Sequence, residues 1–176
     1  WVDEKTEIHA DSVIISTGAS AKWLGLPNEL RLRDMGGGVT ACAVCDGFFF
    51  RGQHVALVGA GDTACEEATY LAKLCPKVYM LVRKDGFRAS KAMVHRVEST
   101  PNIEVLFNTE VQDVLGQHAV EGLIVVNNLT REERKLDVTG LFVAIGHKPA
   151  TDLFKDWLDM DEAGYLKHKA DSTHTN

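Results

Sequence analysis

At 176 residues, with 45% hydrophobic and 25% charged residues, the chain is long enough for one complete domain with a sizeable core and short for two. A formal net charge of -6 argues against a nucleic-acid-binding domain, which carries a basic stripe. No apolar run reaches the roughly 18 residues of a membrane span, and Trp1–Asp11 lacks the basic-then-apolar pattern of a secretory leader.

In chain order, Ser12–Ser16 reads as a short buried strand stopped at Thr17-Gly18. Residues 19–38 read as irregular, because Pro27 and the Gly36-Gly37-Gly38 run prevent a long helix. Residues 42–49 fit a helical turn. His54–Val58 is an apolar strand broken at Gly59. A helix over Asp62–Leu74 follows, with Ala64, Ala68, Leu71 and Ala72 on its inner face and Pro76 as its stop. Val78–Val82 is the next strand. Ser90 suits the cap of a helix running to about Ser99, with Met93, Val94 and Val97 facing in. Ile103–Phe107 is a third strand. Residues 109–143 alternate apolar and polar between Gly116, Gly122 and the charged turn near Arg131–Arg134, which predicts an antiparallel meander. Leu141–Ile145 is a further buried strand ending at Gly146. Residues 151–176 are more polar, with a turn at Asp161–Gly164. Asp171–Asn176 carries no stop signal, so the chain is expected to continue beyond it. Alternating strands and helices predict the α/β class with a parallel sheet, to which the meander adds antiparallel strands. Ala19–Pro27 and His147–Thr151 are linker-like. They bracket one compact domain and leave strand fragments outside it that need a partner sheet.

Gly59-Ala60-Gly61-Asp62-Thr63-Ala64 matches the dinucleotide fingerprint, with alanine at the third small position. Gly59 makes the tight turn out of the strand. Gly61 lets the backbone approach a pyrophosphate at the helix N-terminus, and Ala64 lets helix and strand pack closely. The next strand ends at Val82-Arg83-Lys84, with Arg88 beyond. NAD enzymes place a carboxylate there for the ribose 2′-hydroxyl, whereas guanidinium groups fork onto a 2′-phosphate. The expected nucleotide is therefore NADPH. The competing reading makes Arg83, Lys84, Arg88 and Lys91 a solvated basic face.

Cys42-Ala43-Val44-Cys45 puts two thiols on one helical turn, where little adjustment is needed to form a disulfide. So small a loop suits redox exchange, and Asp46 stands ready to move a proton to a leaving thiolate. In a chain too large to need disulfide staples, such a pair points to the cytoplasm and to a transient bond. Two other readings stand beside it. One is a zinc site completed by Cys65 and Cys75; the other is a pair of inert core thiols. Cys65 and Cys75 read as buried structural residues, and no metal is expected.

Taken together, these segments resemble the low-molecular-weight thioredoxin reductases. The resemblance rests on Ser16-Thr17-Gly18-Ala19, Cys42–Gly47, Gly59–Ala64 with Glu66-Glu67, Val82–Ala89 and Gly140–His147, in the family's order. It implies a Rossmann-like NADPH-binding domain over 26–147 that carries the dithiol. Residues 1–25 and 148–176 would be pieces of an FAD domain. It implies a homodimer in which electrons pass from NADPH through FAD to the dithiol and then to thioredoxin. Cys45 would face the flavin, Cys42 would attack thioredoxin, and Asp46 would be the acid–base. Arg83 and Arg88 would hold the 2′-phosphate, with Lys84 beside them. Gly59, Gly61, Asp62, Thr63, Ala64, Glu66, Ile145, Gly146 and His147, with Thr17 and Gly18, complete the expected cofactor contacts. Phe48 and Phe49 would help dock thioredoxin. The family also implies a domain rotation about the two linkers. The chain departs from the family at Val82, where His is frequent, and at Lys84, where a second Arg is frequent. The family's flavin motifs are expected outside these residues, so the chain is not expected to turn over by itself. Two alternatives remain: a reductase of a peroxiredoxin or another dithiol protein, and a non-catalytic NADPH-binding redox module.

Overall fold

The computed structural model describes residues 5–176; residues 1–4 of the expected first segment, 1–25, lie outside it. In chain order the elements are β1 (Ala19–Ala21), α1 (Pro27–Asp34), β2 (Val39–Thr40), α2 (Ala43–Asp46), β3 (His54–Val58), α3 (Asp62–Leu71), β4 (Lys77–Val82), α4 (Lys91–Glu98), β5 (Ile103–Phe107), β6 (Thr109–Leu115), β7 (Gly122–Asn127), β8 (Glu133–Leu136), β9 (Gly140–Val143) and β10 (His147–Pro149). Short 3-10 turns cover Gly47–Phe50 and Asp152–Phe154. The described residues form two compact units, one of residues Ala21–Gly146 and one of residues 5–20 with His147–Asn176.

The larger unit is built on a five-stranded sheet in the order β2-β9-β3-β4-β5, parallel throughout. Beyond their first residues, His54 and Lys77, the central strands β3 and β4 are mostly apolar because both faces are covered. Successive side chains of a strand point to opposite faces. Val55, Leu57, Val78, Met80, Val82 and Phe142 therefore enter one core cluster, with Ala64, Ala68 and Leu71 of α3 and Val97 of α4. Ala56, Val58, Leu81, Leu141 and Val143 enter the other, with Leu32 of α1 and with Val114, Leu123, Val125 and Leu136 of the antiparallel sheet β6-β7-β8. The expected α/β class, parallel sheet and meander are all present.

Four local expectations need correction. Ser12–Ser16 forms no strand. Val13 and Ile14 are 78% and 91% exposed, since an apolar run becomes a buried strand only where an edge and a cover are offered to it. Residues 19–38 are not wholly irregular, because α1 lies among them. Pro27 begins that helix, which is short at 8 residues: the first helical position needs no N–H donor. Helix α3 ends at Leu71, three residues short of the expected Leu74, and turns carry the chain to Pro76. The last strand of the parallel sheet ends at Val143, short of the expected Ile145.

Helix α1 is anchored by Glu29, which is fully buried. Its carboxylate accepts the amides of Leu24, Gly25 and Leu26 at 2.9, 2.8 and 3.0 Å. A buried carboxylate is tolerable because three donors replace its water. In the smaller unit β1 and β10 form a two-stranded sheet, and the Ala150 amide donates to the Gly18 carbonyl. The expected turn at Asp161–Gly164 forms, closed by Gly164 N–H on the Asp161 carbonyl.

Glu29→Ala leaves three amides without their acceptor. It is expected to lower the unfolding free energy by about 3 kcal/mol, read from the urea midpoint. An unchanged midpoint contradicts the anchoring role.

Candidate functional site

All strands of the five-stranded sheet run the same way, so their carboxyl ends share one edge. The dithiol turn follows β2, the glycine turn follows β3, the basic loop follows β4 and Ile145 follows β9. After β3 the chain winds outward to β4 and β5, then returns to place β9 on the other side of β3. That reversal opens a crevice beyond the strand ends, where open α/β sheets bind their ligands.

At Gly59 an added Cβ would lie 2.5 Å from the Ala144 carbonyl oxygen and 2.6 Å from the Ala64 Cβ. Glycine is thus required by close packing, as is the small residue at 64, which is fully buried. Gly61 is the N-cap of α3 and supplies no side-chain cap to its amides. Nothing lies within 4 Å of the place where its Cβ would be. Thr63 and Glu66 are exposed on α3. Asp62 is engaged by a neighbour: the amide and hydroxyl of Ser90 donate to its Oδ1 at 2.8 and 2.9 Å. Those two bonds hold its carboxyl below the usual carboxylate range. Ser90 stands at the N-cap of α4 as expected, but its hydroxyl is spent on Asp62 and not on capping.

A cavity of about 500 Å³ opens here, lined among others by Gly59, Ala60, Arg83, Lys84, Arg88 and Ile145. The basic loop is fastened by backbone bonds. Arg88 N–H donates to the Ala60 carbonyl at 2.8 Å, and Asn108 N–H donates to the Lys84 carbonyl at 3.0 Å. The Asn128 amide donates to the Arg83 carbonyl at 2.7 Å. Sequence reasoning missed both asparagines. The only signal was the residue type, since Asn108 adopts a φ of 51°, which asparagine tolerates better than most.

Cys42 and Cys45 are joined in a disulfide. The Cys45 N–H points at Cys42 Sγ, 3.2 Å away. Thr40 ties the turn down: its hydroxyl donates to Asp46 Oδ2 and accepts the Cys42 amide at 3.2 Å. Phe48 and Phe49 are 63% and 73% exposed beside the turn, whereas Phe50 turns inward onto Phe142. Glu67 of α3 lies beneath. Burial pushes its carboxyl up, the Ala43 N–H opposes that, and Glu66 adds repulsion.

Cys65 and Cys75 are free and buried, and they do not join the pair. Burial pushes each thiol up to about 11, with the Asp62 charge adding to the effect at Cys65. Among the described residues no three His, Cys, Asp or Glu side chains cluster as metal ligands. No described helix is long and apolar enough to cross a membrane. Gly146 ends the larger unit at a φ of 97°, while Thr17, Gly18 and His147 belong to the smaller unit.

A family model described as pyridine nucleotide-disulphide oxidoreductase matches residues 2–176. The thioredoxin reductase of Streptomyces coelicolor is 50% identical over 167 residues, which are 95% of this chain and 51% of that protein. The mitochondrial thioredoxin reductase 2 of Saccharomyces cerevisiae is 45% identical over 177 residues, 99% of this chain and 51% of that protein. Among solved structures, thioredoxin reductase of Lactococcus lactis matches with a TM-score of 0.85 at 32% identity, covering 98% of this chain and 56% of that one. The chain spans about half the length of the curated relatives it matches.

The four cysteines are expected to divide cleanly on alkylation near pH 8. The oxidised chain should take no label, and the reduced chain should take it at Cys42 and Cys45 alone. Cys65 and Cys75 should react only after denaturation, because thiolate is the reactive form and theirs is scarce. Peptide mapping by mass spectrometry checks this; native labelling of Cys65 or Cys75 contradicts it.

Proposed function

Because this chain belongs to the pyridine nucleotide-disulphide oxidoreductase family, we propose that it carries the nucleotide site and redox dithiol of an NADPH-dependent flavoprotein that reduces thioredoxin. One observation carries the reading: a single sheet edge holds both a disulfide and a glycine turn with an arginine-rich cavity.

The residues present suit NADPH. Open space at Gly61 leaves room for a pyrophosphate against the first turn of α3. Arg83, Lys84 and Arg88 supply donors suited to a 2′-phosphate, and the residues directly after β4 are Arg83 and Lys84 where NAD enzymes place a carboxylate. Gly59, Ala64, Thr63, Glu66, Ile145 and Gly146 would flank the nucleotide. For FAD the support is backbone geometry. Gly18 takes a φ of 72° with no atom within 4 Å of its missing Cβ, which suits a backbone turned toward a ligand. Thr17, Gly18 and His147 are assigned to cofactor contact on the resemblance. FAD, when bound, relays a pair of electrons from the nicotinamide to the disulfide.

Reducing the Cys42–Cys45 bond consumes an electron pair and two protons and leaves two thiols. The Cys45 N–H already directed at Cys42 Sγ favours negative charge on that sulfur. Cys42 is therefore the nucleophile toward the substrate disulfide, and Cys45 displaces the resulting mixed disulfide. Each exchange expels a thiolate. Asp46, held through Thr40 at the same turn, is the group to protonate it. The exposed Phe48 and Phe49 offer an apolar surface to thioredoxin. The working assembly is taken to be a cytoplasmic homodimer on the resemblance and on the reduced state of cytosolic thiols.

Two outcomes test this. The complete protein with FAD should show free thiols at Cys42 and Cys45 after anaerobic NADPH addition, read by alkylation and mass mapping; a disulfide that survives excess NADPH sinks the assignment. Arg88→Ala should weaken NADPH binding about tenfold or more and NADH binding little, since a charged hydrogen bond is worth roughly 1.5–3 kcal/mol. Equal losses for both nucleotides would remove the 2′-phosphate from the argument.

A further inference from the structure

The cavity assigned to the 2′-phosphate contains a carboxylate. Glu110 lines it together with Arg83, Lys84 and Arg88, and these four are its charged residues. Glu110 lies near the start of β6, where register partner Val126 of β7 fixes its backbone. Its Oε1 is 3.9 Å from Arg83 Nε, beyond direct hydrogen-bond length, with the side chains 43% and 74% exposed. Asn128, in the loop after β7, donates from its side chain to the Arg83 carbonyl and so helps hold the Arg83 backbone beside Glu110.

So placed, the pair is a weak, solvated ion pair whose worth to the fold is small. Its consequence falls on a ligand. A phosphate monoester entering the cavity carries close to two negative charges at neutral pH and seeks the same guanidinium. It must draw Arg83 away from Glu110 and accept a like charge close by. A cavity built only to maximise phosphate affinity would have no acid at this position.

Resting on the NADPH reading above, we infer that Glu110 competes with the nucleotide's 2′-phosphate for Arg83. It thereby holds down the affinity for the phosphorylated nucleotide relative to the unphosphorylated one. Glu110 is thus a specificity-setting residue that acts through an arginine. It eases release of the spent nucleotide, since affinity changes within one site fall mostly on the dissociation rate.

Calorimetric titration of the 176-residue chain with 2′,5′-ADP and with 5′-AMP tests the inference at fixed low salt. Glu110→Gln should tighten 2′,5′-ADP by about three- to tenfold, the size expected of one nearby, partly screened charge. Binding of 5′-AMP should stay within about twofold. Glu110→Asp, which keeps the charge, should stay near the wild type, and the gain from Glu110→Gln should fall away in an Arg83→Ala background. The urea midpoint shows whether each variant is folded. Weaker or unchanged 2′,5′-ADP binding in Glu110→Gln overturns the inference, as does a gain that persists undiminished without Arg83. Wild-type chain that binds 2′,5′-ADP no better than 5′-AMP overturns the phosphate reading itself, and this inference with it. If Arg83→Ala weakens 2′,5′-ADP while Glu110→Gln has no effect, only the role of Glu110 is lost.

Discussion

Strand β3 is covered on both faces, and where it ends the backbone at Gly59 is pressed between the Ala144 carbonyl and the Ala64 methyl with no room for a side chain. That contact joins β3, β9 and α3 at one point. It sets the direction in which α3 leaves the sheet, and so the direction in which its first-turn amides face. It also fixes the separation of the crevice walls, because β9 and β3 are in register from Val55 opposite Gly140 to Val58 opposite Val143. The cofactor chemistry assigned to this edge follows from a packing constraint before it follows from any charged group.

Around that point, polar bonds fasten loops that the sheet cannot. Thr40 links the end of β2 to Asp46 and to the Cys42 amide, so the dithiol turn is tied to the strand before it. Asn108 through its backbone N–H and Asn128 through its side-chain amide hold two carbonyls of the basic loop. Asp62 holds Ser90 and thereby the start of α4. Each is a polar bond between groups that would otherwise solvate separately. Together they limit how far the cations of the cavity can drift, which is what preorganisation of an anion site requires. Local charge opposes global charge here. A chain of net charge -6 repels a polyanionic nucleotide at long range and attracts it only at close quarters, where Arg83, Lys84 and Arg88 dominate.

The cysteines show how one residue type divides by environment. Cys42 and Cys45 lie on a short turn at the end of an edge strand, bonded to each other and reachable. Cys65 on the buried face of α3 and Cys75 just after that helix sit in the core, where burial makes the thiolate scarce. The zinc reading required the four sulfurs to converge, and among the described residues no three potential ligands cluster.

Much of this was legible before any tertiary contact was known. The strand–helix order, the antiparallel meander, the glycine turn, the basic residues at the end of β4 and the cysteine spacing are all short-range patterns. Each depends on residues a few positions apart, and a parallel strand buried on both faces announces itself by unbroken apolarity. Long-range contacts decided the rest. Pro27 reads locally as a helix breaker and proves to be a helix start, in a helix held by Asn28 donating to the distant Val114 carbonyl and by Leu32 packed among the meander's apolar side chains. Ser12–Ser16 has the composition of a strand and forms none, since no edge comes to meet it. Asp62 reads as part of a phosphate turn, and only the fold brings Ser90, 28 residues on, against it. Glu110 carries no local signal at all; its place opposite Arg83 exists because β6 begins beside the loop that ends β4. Local pattern determines which elements form and which chemistry they carry. Which side chains meet depends on chain segments far apart in sequence, and only the folded packing brings those together.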